Sequence, residues 1–147
     1  MRAGKALAGL AARHFSLVRE RDAGQAQDYA RVLPVPLHLT RLRWRGFNQS
    51  LILARAIGQR INTPVDPWLL SRTRPTPPQT QLSREERRAN VRGAFGVNMP
   101  ALAKGKRFLL VDDVYTSGAT VEECARTLYQ NGARSVDVFT LARVVDL

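Results

Sequence analysis

At 147 residues, with 44% hydrophobic and 24% charged residues, the chain has the size and composition of one ordinary globular domain with a real core. Its one cysteine, Cys124, excludes an internal disulfide framework and a cysteine-rich zinc site, and no apolar run is long enough to span a bilayer, so no membrane insertion is expected. The formal charge of +11 is almost all arginine, lysine occurring only at Lys5, Lys104 and Lys106; it fits either a solvated basic surface or a polyanionic partner, phosphate-rich small molecules or nucleic acid.

Leu7, Leu10, Ala11 and Leu17 fall near one helical face with Phe15 beside it, which predicts a helix over Ala3–Arg19. The run Ala6–Ala12 is split by Gly9 and followed by Arg13 and His14, which suits an amphipathic helix better than a signal-peptide core. Arg19–Asp28 reads as a loop. Tyr29–Val35 is a short apolar run predicting a buried strand, stiffened at its end by Pro34 and Pro36. His38–Phe47 reads as an arginine-rich loop in which Arg41, Arg43 and Arg45 alternate around Trp44, and no stretch of the chain interleaves aromatic and basic residues as a single-strand binding platform does. Asn48 is the N-cap of a helix through Ile61, with Leu51, Leu53, Ala54, Ile57 and Ile61 on its apolar face, stopped by Asn62, Thr63 and Pro64.

Trp68–Arg72 is a predicted strand. Thr73–Gln81 carries Pro75, Pro77 and Pro78 and predicts an exposed, mobile loop. Ser83 and Glu86 form a capping box for a charged helix to about Arg92, Ala94–Val97 is a short strand, and Asn98–Lys106 is a connection. Arg107–Asp112 is the strongest strand signal, followed by a helix from about Ser117 to Tyr129 with Glu122 and Glu123 in its first turns, a stop at Asn131-Gly132 and a final strand over Ser135–Val145. There is no repeat and no linker, so residues 1–147 read as one domain. Strands separated by helices imply an α/β fold with a parallel sheet and ligands at the carboxyl ends of its strands.

Phe108–Thr120 carries the most chemistry. Four apolar residues precede Asp112 and Asp113, and a hydroxyl- and glycine-rich turn opens the next helix. Free N–H groups at a helix start, helped by the helix dipole, bind anions. Gly118 lets the backbone approach a ligand or take positive φ, and Thr116, Ser117 and Thr120 add hydroxyl donors. Carboxylates repel a phosphate, so Asp112 and Asp113 suit another part of the same ligand, such as vicinal ribose hydroxyls. Magnesium held mostly by ligand oxygens and water also fits. An Asp-Asp pair after an apolar strand alone fits a phospho-acceptor receiver domain as well, and Thr-Ser-Gly alone is often only a cap; the whole stretch points to a phosphorylated sugar. His14 and His38 have neither metal-ligand spacing nor a nucleophile partner, and Cys124 suits a small core position.

Phe108–Thr120 resembles the signature of type I phosphoribosyltransferases, which bind 5-phospho-α-D-ribose 1-diphosphate (PRPP). The resemblance implies that Asp112 and Asp113 contact the ribose hydroxyls and that Thr116, Ser117, Gly118, Ala119 and Thr120 surround the 5′-phosphate, Ser117 standing where threonine is also common. Pro34–His38 leading to Arg45–Gln49 is similar to the ComF family, which is linked to DNA uptake in competent bacteria and includes DNA-utilisation proteins. Gln79–Leu82, Arg87, Arg88, Asn90, Ala94-Phe95 and the closing Leu141-Ala142-Arg143 resemble further blocks of that family. ComF-like proteins usually carry a cysteine-rich, zinc-ribbon-like segment ahead of this domain. No such segment stands in this sequence, which is expected to be a short member or a product beginning at an internal methionine.

The resemblance implies a cytoplasmic protein that takes Mg-PRPP, with Mg2+ as cofactor and an unidentified acceptor. It also implies a role in DNA uptake or use, with single-stranded DNA or competence proteins as partners. A non-catalytic PRPP- or DNA-binding accessory is the alternative. Arg45 is the expected diphosphate-facing side chain, followed by Arg41 and Arg43, whose other reading is a solvated basic loop. Asn48 and Gln49 either cap their helix or touch ligand, and Arg74 and Gln79 lie on a loop that is either a lid over PRPP or a plain connection.

Overall fold

The computed structural model describes residues 9, 11–13, 15, 28–77 and 82–143. In chain order they form β1 (Arg31–Pro34), α1 (Leu39–Arg45), α2 (Gln49–Arg60), β2 (Leu70–Arg72), α3 (Arg84–Val91), β3 (Phe95–Val97), α4 (Pro100–Ala103), β4 (Arg107–Tyr115), α5 (Ala119–Gln130) and β5 (Ser135–Arg143). Residues 9, 11–13 and 15 are helical, in line with the predicted N-terminal helix, whose remaining positions lie outside the described residues, as does nearly all of the 19–28 loop.

The main sheet is parallel with strand order β1-β4-β5, so β4 is its centre. Successive side chains of a strand point to opposite faces, and the apolar run of β4 is continuous because both faces are covered. Phe108 and Leu110 enter a core with Leu33, Leu70, Val91, Phe95, Cys124 and Leu128. Leu109 and Val111 enter a second core with Val32, Leu53, Ala54, Ile57, Ala11 and Phe15. The Phe15 and Phe139 rings meet edge-on at 5.2 Å. These two layers hold β4 between α5 on one side and α2 on the other.

Four elements differ from the sequence expectation. Leu39–Arg45 is a helix, not a loop: His38 Nδ1 accepts from the Thr40 N–H at 3.3 Å, and Gly46, at φ 76°, closes the helix by donating to the Leu42 carbonyl at 2.8 Å. Leu39, Leu42 and Trp44 remain exposed, so there was no buried face to give a periodic signal. α4 interrupts the predicted 98–106 connection, with Pro100 in its first turn. β4 continues to Tyr115 because Asp112, Val114 and Tyr115 stay in register with Thr140, Ala142 and Arg143 of β5. β2 and β3 pair antiparallel in a separate two-stranded sheet. The expected capping box is present: the Ser83 N–H donates to Glu86 Oε2 at 2.7 Å and the Glu86 N–H to Ser83 Oγ at 3.2 Å.

α2 approaches the following turn so closely that Gly58 has no room for a side chain: a Cβ there would stand 2.6 Å from Val65 Cγ2 and 2.8 Å from the Thr63 carbonyl oxygen. Alanine favours a helix over glycine by about 1 kcal/mol, but overpacking costs about 1–3 kcal/mol. Gly58→Ala is therefore expected to lower the urea midpoint, and a raised midpoint would contradict this packing.

Candidate functional site

β1 ends level with Val111, so the chain beyond Val35 leaves the sheet at the edge where Asp112 stands. Asp112 is 9% exposed. Its Oδ1 accepts from Ser50 Oγ at 2.9 Å and from the Asp113 N–H at 2.9 Å. Asp113 is half-buried and its Oδ1 accepts from the Val114 N–H at 2.9 Å. Burial pushes the Asp112 carboxyl up to about 7, the neighbouring Asp113 charge adds to the rise, and the Ser50 hydrogen bond opposes it. Two adjacent acids thus stand at the strand end in different surroundings, one buried and held, the other freer.

The turn after β4 is shaped by Gly118, which has φ 79° and caps α5. A Cβ at this position would run into the Tyr115 hydroxyl, stand 2.7 Å from Tyr115 Cζ and 3.1 Å from Glu122 Oε1. Glycine is required here twice, for conformation and for space. Ser117 Oγ accepts from the Ala119 N–H at 3.4 Å, and Ala119, Thr120 and Val121 line a small depression together with Asp112, Tyr115, Thr116 and Gly118. The structure therefore brings together all seven sequence-signalled residues of Asp112, Asp113 and Thr116–Thr120 on one strand–turn–helix unit. Cations edge it: Arg143 lies 5.3 Å from the Tyr115 ring centre, and Arg88 Nε stands 3.4 Å from Glu122 Oε2. A wider surface hollow lies elsewhere, at the end of α2 beside Arg55, Gln59, Asn62 and Thr63, and none of the signalled residues line it.

The remaining candidates divide. Asn48 caps α2, its Oδ1 accepting from the Ser50 N–H at 3.0 Å, while its Nδ2 donates to the Val35 carbonyl at 3.0 Å. Gln49 is half-buried in the first turn of α2. Arg43 is exposed on α1; Arg41 and Arg45 belong to the same helix, and their side chains lie outside what the structure describes. Arg74 is held against α3, donating to the carbonyls of Asn90 at 3.0 Å and Arg92 at 2.7 Å, which satisfies acceptors left open at a helix end. Asn90 Nδ2 in turn donates to the Pro77 carbonyl at 3.1 Å, so the proline-rich segment through Pro77 is fastened to α3. Gln79 lies outside the described residues. Sequence reasoning missed Ser50, Tyr115 and the Arg88–Glu122 pair. Ser50 directly follows the Arg45–Gln49 match, but its partner lies 62 residues away.

The raised Asp112 carboxyl has a thermodynamic consequence. The folded chain keeps a proton that the unfolded chain releases near 3.8, so stability falls as pH rises from about 4 to about 7 and levels off above. The full difference amounts to about 4 kcal/mol. Asp112→Asn, which keeps an acceptor but no charge, is expected to raise the unfolding free energy at pH 8 by an amount approaching about 4 kcal/mol and to give no gain below pH 4. Urea unfolding at both pH values checks this; an equal gain at both would contradict it.

Residues 25–145 match the family described as phosphoribosyl transferase domain. The chain is 39% identical over 115 residues to the DNA utilization protein YhgH of Escherichia coli O157:H7, covering 78% of this chain and 50% of that protein. It is 34% identical over 116 residues to Competence protein F of Haemophilus influenzae, covering 76% and 49%, and 32% identical over 113 residues to Competence protein ComFC of Bacillus subtilis, covering 76% and 44%. The chain thus spans about half the length of the curated relatives it matches. Among solved structures, the glutamine PRPP amidotransferase of B. subtilis superposes with a TM-score of 0.57 at 21% identity, over 95% of this chain and 26% of that one. The hypoxanthine phosphoribosyltransferase of Trypanosoma cruzi superposes with a TM-score of 0.54 at 10% identity, over 97% and 73%. These likenesses show a shared fold, the type I phosphoribosyltransferase α/β fold with a parallel sheet flanked by helices. The chain belongs to the phosphoribosyltransferase domain family, within its ComF group.

Proposed function

We propose that the strand–turn–helix unit binds Mg-PRPP and that the protein transfers the phosphoribosyl group to an acceptor, in the service of DNA uptake or use. The observation that carries this reading is the buried, held Asp112 carboxylate beside Asp113, directly before a turn that only glycine can make at position 118. In this reading the N–H groups and hydroxyls of Thr116–Thr120 take the 5′-phosphate. Asp112 and Asp113 accept hydrogen bonds from the ribose hydroxyls, which fixes the sugar as its C1 bond to diphosphate breaks and positive charge develops. The acceptor's attacking atom forms the new bond to C1 and diphosphate leaves with the bonding pair. Arg45, with Arg41 and Arg43, is assigned to the diphosphate, since α1 leaves the sheet at the Asp112 edge.

Among the described residues no three or more His, Cys, Asp or Glu side chains converge as a dedicated metal site. A magnesium ion held mainly by phosphate oxygens and water needs no such cluster, and the anionic surroundings of the turn suit it without a direct side-chain ligand. When bound, magnesium offsets charge on the leaving diphosphate. No helix is long and apolar enough to cross a membrane among the described residues.

A second reading, a non-catalytic accessory that binds single-stranded DNA, is favoured by one observation. Trp44 is 83% exposed and Phe47 is 50% exposed, with exposed Arg43 between cationic neighbours in sequence. Exposed aromatics among arginines suit base stacking with phosphate neutralisation.

Calorimetry with Mg-PRPP tests the first reading. Wild-type protein is expected to bind, and Asp112→Ala/Asp113→Ala to lose at least about tenfold in affinity while remaining folded; unchanged affinity would refute it. Gly118→Ala is expected to abolish binding as well. Release of diphosphate with candidate bases or ammonia separates an enzyme from a binder. The second reading predicts retention of single-stranded DNA that falls steeply with salt and is lost in Arg41→Ala/Arg43→Ala/Arg45→Ala.

A further inference from the structure

The side chain that grips Asp112 comes from a distant helix. Ser50 is 4% exposed in the first turn of α2, and its hydroxyl donates to Asp112 Oδ1 at 2.9 Å. The Asp113 N–H reaches the same oxygen, also at 2.9 Å. Both donors therefore converge on Oδ1, leaving Oδ2 without a hydrogen bond among the described residues.

Ser50 is itself anchored. Its N–H donates to Asn48 Oδ1, Asn48 Nδ2 donates to the Val35 carbonyl, and the Val35 N–H donates to the Val111 carbonyl at 2.8 Å. The chain of bonds runs from the start of α2 through the end of β1 to the residue of β4 just before Asp112. The helix does not need the Ser50 hydroxyl for its own end, because Asn48 is already the cap. Alanine is the better helix former and fits a buried position of this size. The hydroxyl is accounted for by its bond to the carboxylate.

We propose that Ser50 is a positioning residue for Asp112, fixing Oδ1 so that Oδ2 is presented to a ribose hydroxyl of the bound phosphosugar. The assignment rests on the phosphoribosyl reading of the turn. A hydrogen bond to the charged form also favours ionisation, so Ser50 extends the pH range over which Asp112 is a carboxylate. The other groups facing Asp112 act differently. Asp113, its neighbour on β4, disfavours its charge. Cys124 of α5 is held neutral, its thiol pushed up by burial and by Asp112 itself, with Arg72 of β2 opposing. Thr140, opposite on β5, does not titrate.

Carbon-detected NMR titration of the Asp112 carboxyl in the ligand-free chain, paired with calorimetry using Mg-PRPP across pH 5–9, tests the assignment. In Ser50→Ala the Asp112 midpoint is expected to move up by about one unit or more, since a hydrogen bond to a charged group contributes about 1.5–3 kcal/mol. Mg-PRPP affinity at pH 7 is expected to fall about tenfold, with the gap narrowing toward pH 9 as the carboxylate ionises regardless. Ser50→Thr, which keeps the hydroxyl, is expected to titrate near wild type. If Ser50→Ala does not fold, Ser50→Cys, of similar size and a weaker donor, makes the same comparison. An unchanged midpoint in a folded variant overturns the role of Ser50, even where wild type binds Mg-PRPP normally. Absence of Mg-PRPP binding by wild type overturns the phosphoribosyl reading and, with it, the role of Oδ2.

Discussion

A carboxylate kept almost out of water at the end of a central strand is the constraint on which the rest of this structure turns. Burial of an ion is costly unless hydrogen bonds replace the lost water. Asp112 receives one such bond from its own strand and one from α2. Neither is sufficient to bring its carboxyl back to its ordinary value. Above about pH 7 the site therefore carries an unfavourable charge, which the fold tolerates because both flanking cores hold β4 in place. A neutral side chain would serve the fold better, and carboxyls raised by burial are common at functional positions as well as in structural networks.

The architecture explains how that constraint is met. Covering β4 on both faces lets its apolar run end at Val111, and the strand continues to Tyr115 before the turn that Gly118 closes ahead of α5. β1, pairing in parallel beside it, delivers Asn48 and Ser50 to the same edge. Farther out, Glu123 accepts from the Gly93 N–H at 2.7 Å and from Arg126 Nε at 2.8 Å, so α5 is tied to the approach of β3. Arg74 and Asn90 bind the start of the proline-rich segment to α3, and Arg88 of α3 reaches Glu122 in the first turn of α5. The segment between β2 and β3 is thereby connected to the helix that begins at the turn.

Much of this was legible in the sequence, for local reasons. The Asn48 cap, the Ser83–Glu86 capping box and the Asn131-Gly132 stop are short-range patterns, and the apolar run of β4 reports burial on both faces. α1 was not legible because its leucines and Trp44 stay exposed, leaving only a histidine cap and Gly46 as signs. The extension of β4 past Asp113 depends on pairing with β5, which local sequence does not encode. Ser50 was missed for the same reason: its significance is a contact across 62 residues, and serine in a first helical turn is unremarkable by itself. The proline-rich setting of Arg74 left open a lid or a plain connection, and only the fold shows its guanidinium donating to carbonyls at the end of α3.

The central claim is that this turn holds a phosphoribosyl group. A crystal of the protein soaked with Mg-PRPP tests it most directly. The account predicts the 5′-phosphate against the backbone between Thr116 and Thr120, with the ribose hydroxyls on Asp112 and Asp113. A well-ordered turn left empty at saturating ligand, or PRPP seated in another part of the molecule, would contradict it.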